Sequence, residues 1–201
     1  MEQIKKWTGY FSKGELCLWG ASVALILAAF LLFDRGNTLT LTASLIGATS
    51  LIFSAKGNPL GQLLMIVFSL LYGAISYTFA YYGEMLTYLG MTAPMALFAL
   101  VAWMKNPHNG NRAEVQVGRL GRRDVVLMLA LSAAVTAVFY FILAAFRTAN
   151  LIPSTISVTT SFAAVFLTYK RSSYYAAAYA ANDVVLIVLW TLAAMQDRSY
   201  L

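Results

Sequence analysis

The amino-acid sequence predicts an all-α membrane protein that crosses the bilayer seven times. Hydrophobic residues make up 60% of the 201 residues and charged residues only 11%, whereas about 25% of the residues of a soluble domain are charged. The apolar residues form continuous runs rather than the alternating pattern of a transmembrane β-barrel. Most basic residues lie at the ends of these runs, so the net charge of +6 indicates membrane topology rather than nucleic-acid binding.

Seven runs are suited to transmembrane helices, each of which needs about 20 mainly apolar residues. They cover residues 16–33, 38–55, 59–80, 84–104, 124–146, 153–169 and 174–195. The first run follows a polar start without a small-residue cleavage site, so we expect it to act as an uncleaved insertion signal. The second run is the least apolar, because it is rich in Thr and Ser.

The residues between the runs support these boundaries. Residues 34–37 have the composition of a turn, and Pro59 and Pro153 fall in the first turns of the third and sixth helices, where the missing N–H costs nothing. The linker at residues 81–84 is very short, so the third and fourth helices are expected to form a tight hairpin. Pro94 interrupts the fourth helix and is expected to kink it.

The distribution of Lys and Arg predicts the orientation in the membrane. With seven spans, one side of the membrane holds eleven basic residues: Lys5, Lys6, Lys13, Lys56, Lys105, Arg112, Arg119, Arg122, Arg123, Lys170 and Arg171. The other side holds three: Arg35, Arg147 and Arg198. Because cytoplasmic loops carry the basic excess, the N-terminus is expected in the cytoplasm and the C-terminus outside the cell membrane.

The spacing of the helices indicates an internal repeat. Lys56 ends the second helix and Lys170 ends the sixth, and this shift of 114 residues superposes the first three helices on the last three. We therefore predict an N-terminal three-helix bundle at 1–83, a linker helix at 84–104, a basic cytoplasmic loop at 105–123 and a C-terminal three-helix bundle at 124–201. An odd linker helix makes the two bundles parallel, a transporter plan with the substrate at the repeat interface.

The last helix carries the strongest candidate for a binding site. Asn182 and Asp183 interrupt an apolar run and share a stripe of the helix with Tyr175, Tyr179 and Trp190. Polar groups at membrane depth are costly unless they face a cavity or a partner. We therefore predict that this stripe binds a flat, polar small molecule; the alternative is that Asp183 is structural.

Polar and aromatic residues on three other helices are expected to converge on the same cavity. They are Gln62 and Tyr72 on the third helix, Thr87 and Tyr88 on the fourth, and Ser157 and Thr160 on the sixth. The alternative for Ser and Thr in membrane helices is close helix packing.

No motif of the enzyme classes considered occurs in the sequence. A Gly-rich phosphate loop, His-Glu-x-x-His and Gly-x-Ser-x-Gly are absent, His108 lies in a polar loop, and the lone Cys17 excludes an internal disulfide. We therefore expect a protein that is not an enzyme and that uses no metal or cofactor.

Three stretches carry a resemblance to a known family. They are residues 72–77 (YGAISY), residues 82–85 (YGEM) followed by Pro94 and Trp103, and residues 170–190, which include Asn182-Asp183. On these residues the chain resembles the PnuC family of transporters over about 38–105 and 150–195. In three places the chain departs from the family pattern: Ala178 replaces a tryptophan, Leu89 or a neighbour replaces a glutamine, and the Pro153-Ser154 region lacks an acidic residue.

The resemblance implies two three-helix bundles joined by a linker helix, similar to the SWEET sugar carriers. It also implies facilitated diffusion of nicotinamide riboside for NAD synthesis, trapping of the nucleoside by a cytoplasmic kinase, and contact of Asn182 with the nicotinamide amide. Thiamine, riboflavin and deoxynucleosides are alternative substrates carried by relatives.

Two alternatives come from other protein classes. Ala24-x-x-x-Ala28 allows a substrate-capture subunit of an energy-coupling vitamin transporter, which would depend on a separate ATPase, and a passive scaffold would have no need of Asn182 and Asp183. The expected partners are a small-molecule substrate and membrane lipid. Gly57-x-x-x-Gly61 leaves homo-oligomer formation open.

Overall fold

The computed structural model is an all-helical membrane protein, and it describes residues 10–33, 35–78, 82–148 and 150–196. Its helices are α1 (Lys13–Phe33), α2 (Thr38–Ala55), α3 (Pro59–Thr78), α4 (Tyr82–Thr87, Tyr88–Thr92 and Ala93–Met104), α5 (Arg122–Ala145), α6 (Leu151–Tyr169) and α7 (Tyr175–Gln196). Within the described residues, α1 to α6 are long and apolar enough to span a membrane, and α7 contains a shorter apolar stretch, Tyr175–Leu189. The predicted all-α, multi-pass class is therefore confirmed.

Local sequence signals account for where the helices begin. The side chain of Asn37 caps α2 by accepting a hydrogen bond from the Thr40 N–H at 3.1 Å. Pro59 is the first residue of α3 and Pro153 lies in the first turn of α6, as predicted. Residues 79–81, where the third predicted helix ended and the hairpin turn began, lie outside the described part of the chain.

A π-helical segment, Tyr88–Thr92, interrupts α4 just before Pro94. Proline has no N–H to donate within the helix. The widened turn is closed by the Ala93 N–H, which bonds to the Tyr88 carbonyl, and by the Thr92 hydroxyl, which donates to the Thr87 carbonyl at 3.3 Å. A π-helical turn, a feature common at functional sites, therefore directly precedes Pro94, the residue at which a kink was predicted.

The middle helix of each group of three makes the main packing contacts. In the first group α2 packs on both α1 and α3, in the second α6 packs on both α5 and α7, and α4 lies against α3 and α6. The α4–α6 contact is anchored by the fully buried Trp103, whose indole Nε1 donates to the Thr168 carbonyl at 2.9 Å.

A buried apolar cluster lies where α4, α5 and α6 meet. Its members are Met91, Leu143, Val158, Phe162, Val165 and Phe166. Elsewhere large apolar side chains point outward, among them Phe33, of which 85% is exposed, and Phe141, of which 71% is exposed. An apolar exterior of this kind suits contact with lipid rather than water.

The polar segment between α4 and α5 is not the plain loop that its composition suggested. It contains a hairpin of β1 (Pro107–His108) and β2 (Asn111–Val115), joined by Asn109 and Gly110, both of which have positive φ. Asn-Gly with two positive φ angles is the preferred two-residue hairpin turn. This hairpin was not predicted from the sequence, because β1 is only two residues long.

Residues 115–118, here called the strap, connect the two groups of helices. The Val115 N–H donates to the Gly57 carbonyl in the α2–α3 turn, and the Gly118 N–H donates to the Arg171 carbonyl in the α6–α7 turn, both at 2.9 Å. The guanidinium of Arg171 also donates to the Gln116 carbonyl at 3.3 Å. A continuous stretch of four residues therefore contacts both halves of the chain.

Candidate functional site

Asn182 is buried in α7 and faces a row of hydroxyl groups on α6. Only 6% of the residue is exposed. Its amide oxygen lies 2.7 Å from the Thr160 hydroxyl, 3.0 Å from the Ser161 hydroxyl and 3.4 Å from the Ser157 hydroxyl. Because these hydroxyls can donate to the oxygen, they hold the amide in a defined position, and the amide can both donate to and accept from a ligand.

The hydroxyl of Thr160 has alternative acceptors. It lies 3.0 Å from the carbonyl oxygens of both Ile156 and Ser157 as well as close to Asn182. One hydroxyl proton can serve only one strong bond at a time, so Thr160 can turn to its own helix when Asn182 bonds elsewhere. The Asn182 amide is therefore held in place, yet it can exchange its bond to Thr160 for a bond to a ligand.

A small cavity lies between α3, α4, α6 and α7. Its volume is about 10 Å³, which is room for one water molecule. The residues around it are Gln62, Met65, Thr92, Met95, Ala96, Ala99, Val165, Thr168 and Tyr179. Since a pyridine ring is many times larger, a ligand of that size needs these helices to separate.

Two of the residues predicted from the sequence, Gln62 and Tyr179, line this cavity. Gln62 is 5% exposed and donates from its amide nitrogen to the Ser54 hydroxyl at 3.3 Å. Tyr179 lies on the opposite wall, one helical turn before Asn182 on α7. Ser157 and Thr160 do not line the cavity, and their hydroxyls contact the amide oxygen of Asn182.

Other predicted residues are not among those that line the cavity. The rings of Tyr72 and Tyr88 pack against each other with centroids 4.5 Å apart. Thr87 donates its hydroxyl to the Gly83 carbonyl of its own helix at 2.9 Å. Asp183 lies on the exposed side of α7, although Asn182 beside it is buried. The side chain of Trp190 lies outside the described part of the structure.

Two cavity residues were missed in the sequence analysis. Thr92 is the last residue of the π-helical segment and Thr168 lies at the buried end of α6. Thr168 could have been found from the repeat, since the 114-residue shift relates it to Ser54, the partner of Gln62. Among the described residues, no group of three or more His, Cys, Asp or Glu side chains is placed to hold a metal ion.

The family was identified by comparison with known proteins. The family model described as "Nicotinamide mononucleotide transporter" matches residues 37–198, which is most of the chain. The chain belongs to this family. The predicted resemblance to PnuC-type proteins is thereby confirmed, and the matched region includes the Asn182 site and the cavity.

Two individual proteins are similar to the chain. The nicotinamide riboside transporter PnuC of Neisseria mucosa is 28% identical over 171 residues, which are 84% of this chain and 65% of the relative. The chain therefore spans slightly less than two thirds of that protein's length. The crystal structure of the vitamin B3 transporter PnuC matches with a TM-score of 0.77 and 25% identity, over 93% of this chain and 80% of the other. Both similar proteins are transporters by name.

Proposed function

We propose that this protein carries nicotinamide riboside across the membrane by facilitated diffusion. The main support is Asn182, a buried amide held by hydroxyls, in a chain of the nicotinamide mononucleotide transporter family. It lies one helical turn after Tyr179, which lines a cavity between helices. A nicotinamide ring bears a carboxamide, and two amides can exchange a donor and an acceptor with each other. The similar proteins named above are described as nicotinamide riboside and vitamin B3 transporters.

The residues around the cavity suggest how such a ligand is held. The amide of Asn182 pairs with the carboxamide, and the ring of Tyr179 offers a face for stacking, worth about 1 kcal/mol. Gln62 and the hydroxyls of Ser157 and Thr160 are suited to the ribose hydroxyls. Asp183, Trp190, Tyr72, Thr87 and Tyr88 were also predicted as contacts and remain predictions.

We also propose that the helices form two parallel three-helix bundles joined by α4. The two turns that precede α3 and α7 support this arrangement, because they repeat the same hydrogen bonds after 114 residues. Asn58 N–H donates to the Phe53 carbonyl at 2.9 Å, and Ser172 N–H donates to the Leu167 carbonyl at 3.0 Å. The middle residues of the turns, Gly57 and Arg171, both have positive φ.

In the cell, we propose that the N-terminus and the strap lie in the cytoplasm and that the C-terminus lies outside the plasma membrane. This orientation follows the excess of basic residues on the strap side. A facilitator equilibrates its substrate but does not concentrate it. Net uptake then requires a cytoplasmic kinase that phosphorylates the nucleoside, which makes that kinase a pathway partner.

The decisive experiment is uptake of labelled nicotinamide riboside by purified protein in liposomes, without ATP or an imposed ion gradient. The proposal predicts that the label reaches the external concentration faster than in protein-free liposomes and does not exceed it. Absence of uptake by folded protein would overturn the substrate assignment, and thiamine, riboflavin and deoxynucleosides would be tested next. Uptake only with an added ATPase would instead identify a substrate-capture subunit.

A further inference from the structure

Glu84 brings a carboxylate to the end of α4, where that helix packs against α3. The side chain is half-buried, and one oxygen accepts a hydrogen bond from the Tyr72 hydroxyl at 3.2 Å. The two ion pairs among the described residues join Lys56 to Glu15 and Lys170 to Asp124, so neither neutralises Glu84. In a membrane protein, burial of a carboxylate that has no cationic partner among the described residues costs free energy, so such a carboxylate is a candidate for function.

Tyr72, which donates a hydrogen bond to Glu84, packs against two other aromatic rings. Phe68, Tyr72 and Tyr88 form a cluster with centroid distances of 4.5 to 5.8 Å. The face of an aromatic ring carries negative electrostatic potential and attracts cations. Together with these rings, the carboxylate of Glu84 forms a group, here called the acidic–aromatic cluster, whose charge and polarisation favour a positively charged, flat ligand.

Helical spacing relates the acidic–aromatic cluster to the cavity along one side of α4. Glu84, Tyr88 and Thr92 follow each other at intervals of one turn, and Thr92 lines the cavity together with Met95. In the proposed orientation Glu84 marks the outer end of this row. A ligand that enters from outside therefore meets the carboxylate and the rings before it reaches Tyr179 and Asn182.

We propose that Glu84 is a specificity-determining residue that selects the cationic form of the ring at the outer end of the substrate path. This inference rests on the proposed function, because nicotinamide riboside carries a permanent positive charge on its ring nitrogen. Its reduced form, dihydronicotinamide riboside, has the same size and the same carboxamide and ribose but no charge. A comparison of the uptake of these two compounds therefore distinguishes recognition of charge from recognition of shape.

The test compares initial uptake of the two compounds in liposomes by wild-type protein and Glu84→Gln. We expect kcat/KM for nicotinamide riboside to fall about tenfold, while that for the dihydro compound changes by less than about twofold. Glu114→Gln, which removes the same charge from the hairpin, is the matched control and should leave both values unchanged. An equal loss for both compounds in Glu84→Gln would mean a structural role and would overturn the proposal.

A second variant keeps the test decisive if Glu84→Gln does not fold. Glu84→Asp retains the charge on a shorter side chain, so it should keep a preference for the cation; loss of that preference would contradict the proposal. Failure of the proposed function itself is distinguishable, because folded wild-type protein would then transport neither compound.

Discussion

At the scale of single residues, the two halves of the chain differ at the contact that holds Asn182. The proposed 114-residue shift relates Ser161 and Asn182 to Gly47 and Phe68. A Cβ added at Gly47 would lie 3.0 Å from the Phe68 ring, whereas Ser161 bonds to Asn182 at 3.0 Å. The contact is thus apolar between α2 and α3 and polar between α6 and α7. For this reason we expect α7, and not α3, to recognise the carboxamide of the substrate at this position.

Replacement of Asn182 should therefore affect uptake more than folding. In Asn182→Ala, Thr160 can still bond to carbonyls of its own helix, so the loss of stability is small, while the ligand loses its amide partner. We expect initial uptake of nicotinamide riboside to fall at least about tenfold, equivalent to about 1.4 kcal/mol.

Thr191→Val is the matched control for this prediction, because Thr191 lies on the exposed side of the same helix and bonds only within α7 among the described residues. Its uptake should equal that of the wild type. Wild-type uptake by folded Asn182→Ala would remove Asn182 from the binding site.

At the scale of helices, small residues allow the closest contacts. Gly61 of α3 faces α2 so closely that an added Cβ would lie 2.5 Å from the Ser54 backbone nitrogen and 2.9 Å from the Ser50 carbonyl oxygen. Both are backbone atoms and cannot turn away. The α2–α3 contact matters for the site, since Gln62 next to Gly61 lines the cavity and bonds to Ser54.

We expect Gly61→Ala to lower the free energy of unfolding by about 1–3 kcal/mol, because the two helices must move apart. The measurement is the thermal unfolding midpoint in detergent. Gly20→Ala in α1 is the control: nothing lies within 4 Å of its added Cβ, and alanine favours helix over glycine by up to about 1 kcal/mol. An unchanged midpoint in Gly61→Ala would contradict the close packing of α2 on α3.

At the scale of the whole molecule, the strap links the two halves at one end of the helices. The strap bonds to Gly57 in the α2–α3 turn and to Arg171 in the α6–α7 turn. These two residues occupy the same position in their turns, and both have positive φ. The strap approaches the second turn so closely that a Cβ at Gly118 would collide with the carbonyl oxygen of Lys170. Separation of the halves at this end therefore requires the strap to release at least one turn.

Gly118→Ala should weaken the strap, because the collision displaces the Gly118 N–H from the Arg171 carbonyl. Loss of one such bond costs about 1 kcal/mol, and we expect a lower thermal unfolding midpoint. Gly36→Ala is a suitable comparison, since this glycine also lies outside the helices but has open space around its Cβ position. Equal midpoints for the two variants would indicate that the strap adds no stability.

The orientation of the whole molecule can be tested with single cysteines after Cys17→Ser removes the one native thiol. Arg112→Cys places a thiol on the exposed hairpin, and Arg35→Cys places one between α1 and α2 at the opposite end. A membrane-impermeant maleimide should label Arg35→Cys in intact cells and Arg112→Cys only after permeabilisation. The reverse pattern would invert the proposed topology.

The sequence by itself determined the class of the protein and the positions of its helices, and it singled out Asn182 as the leading candidate for a binding residue. Each of these depends on local information: the length of apolar runs, prolines and capping residues at their ends, and a polar residue where lipid would be expected. The pairing of α6 hydroxyls with α7 could also be anticipated, because the polar faces of both helices follow from helical periodicity.

Only the tertiary structure decided which polar residues meet. It turned Asp183 outward beside the buried Asn182, brought Thr92 and Thr168 to the cavity, and placed Tyr72 with Glu84 rather than in the cavity lining. The strap was hidden in the sequence, since its partners Gly57 and Arg171 lie in turns far away along the chain. The β-hairpin is local, but its strand β1 has only two residues. Helical periodicity defines the face on which a residue lies, but the rotation and spacing of neighbouring helices determine what that face contacts.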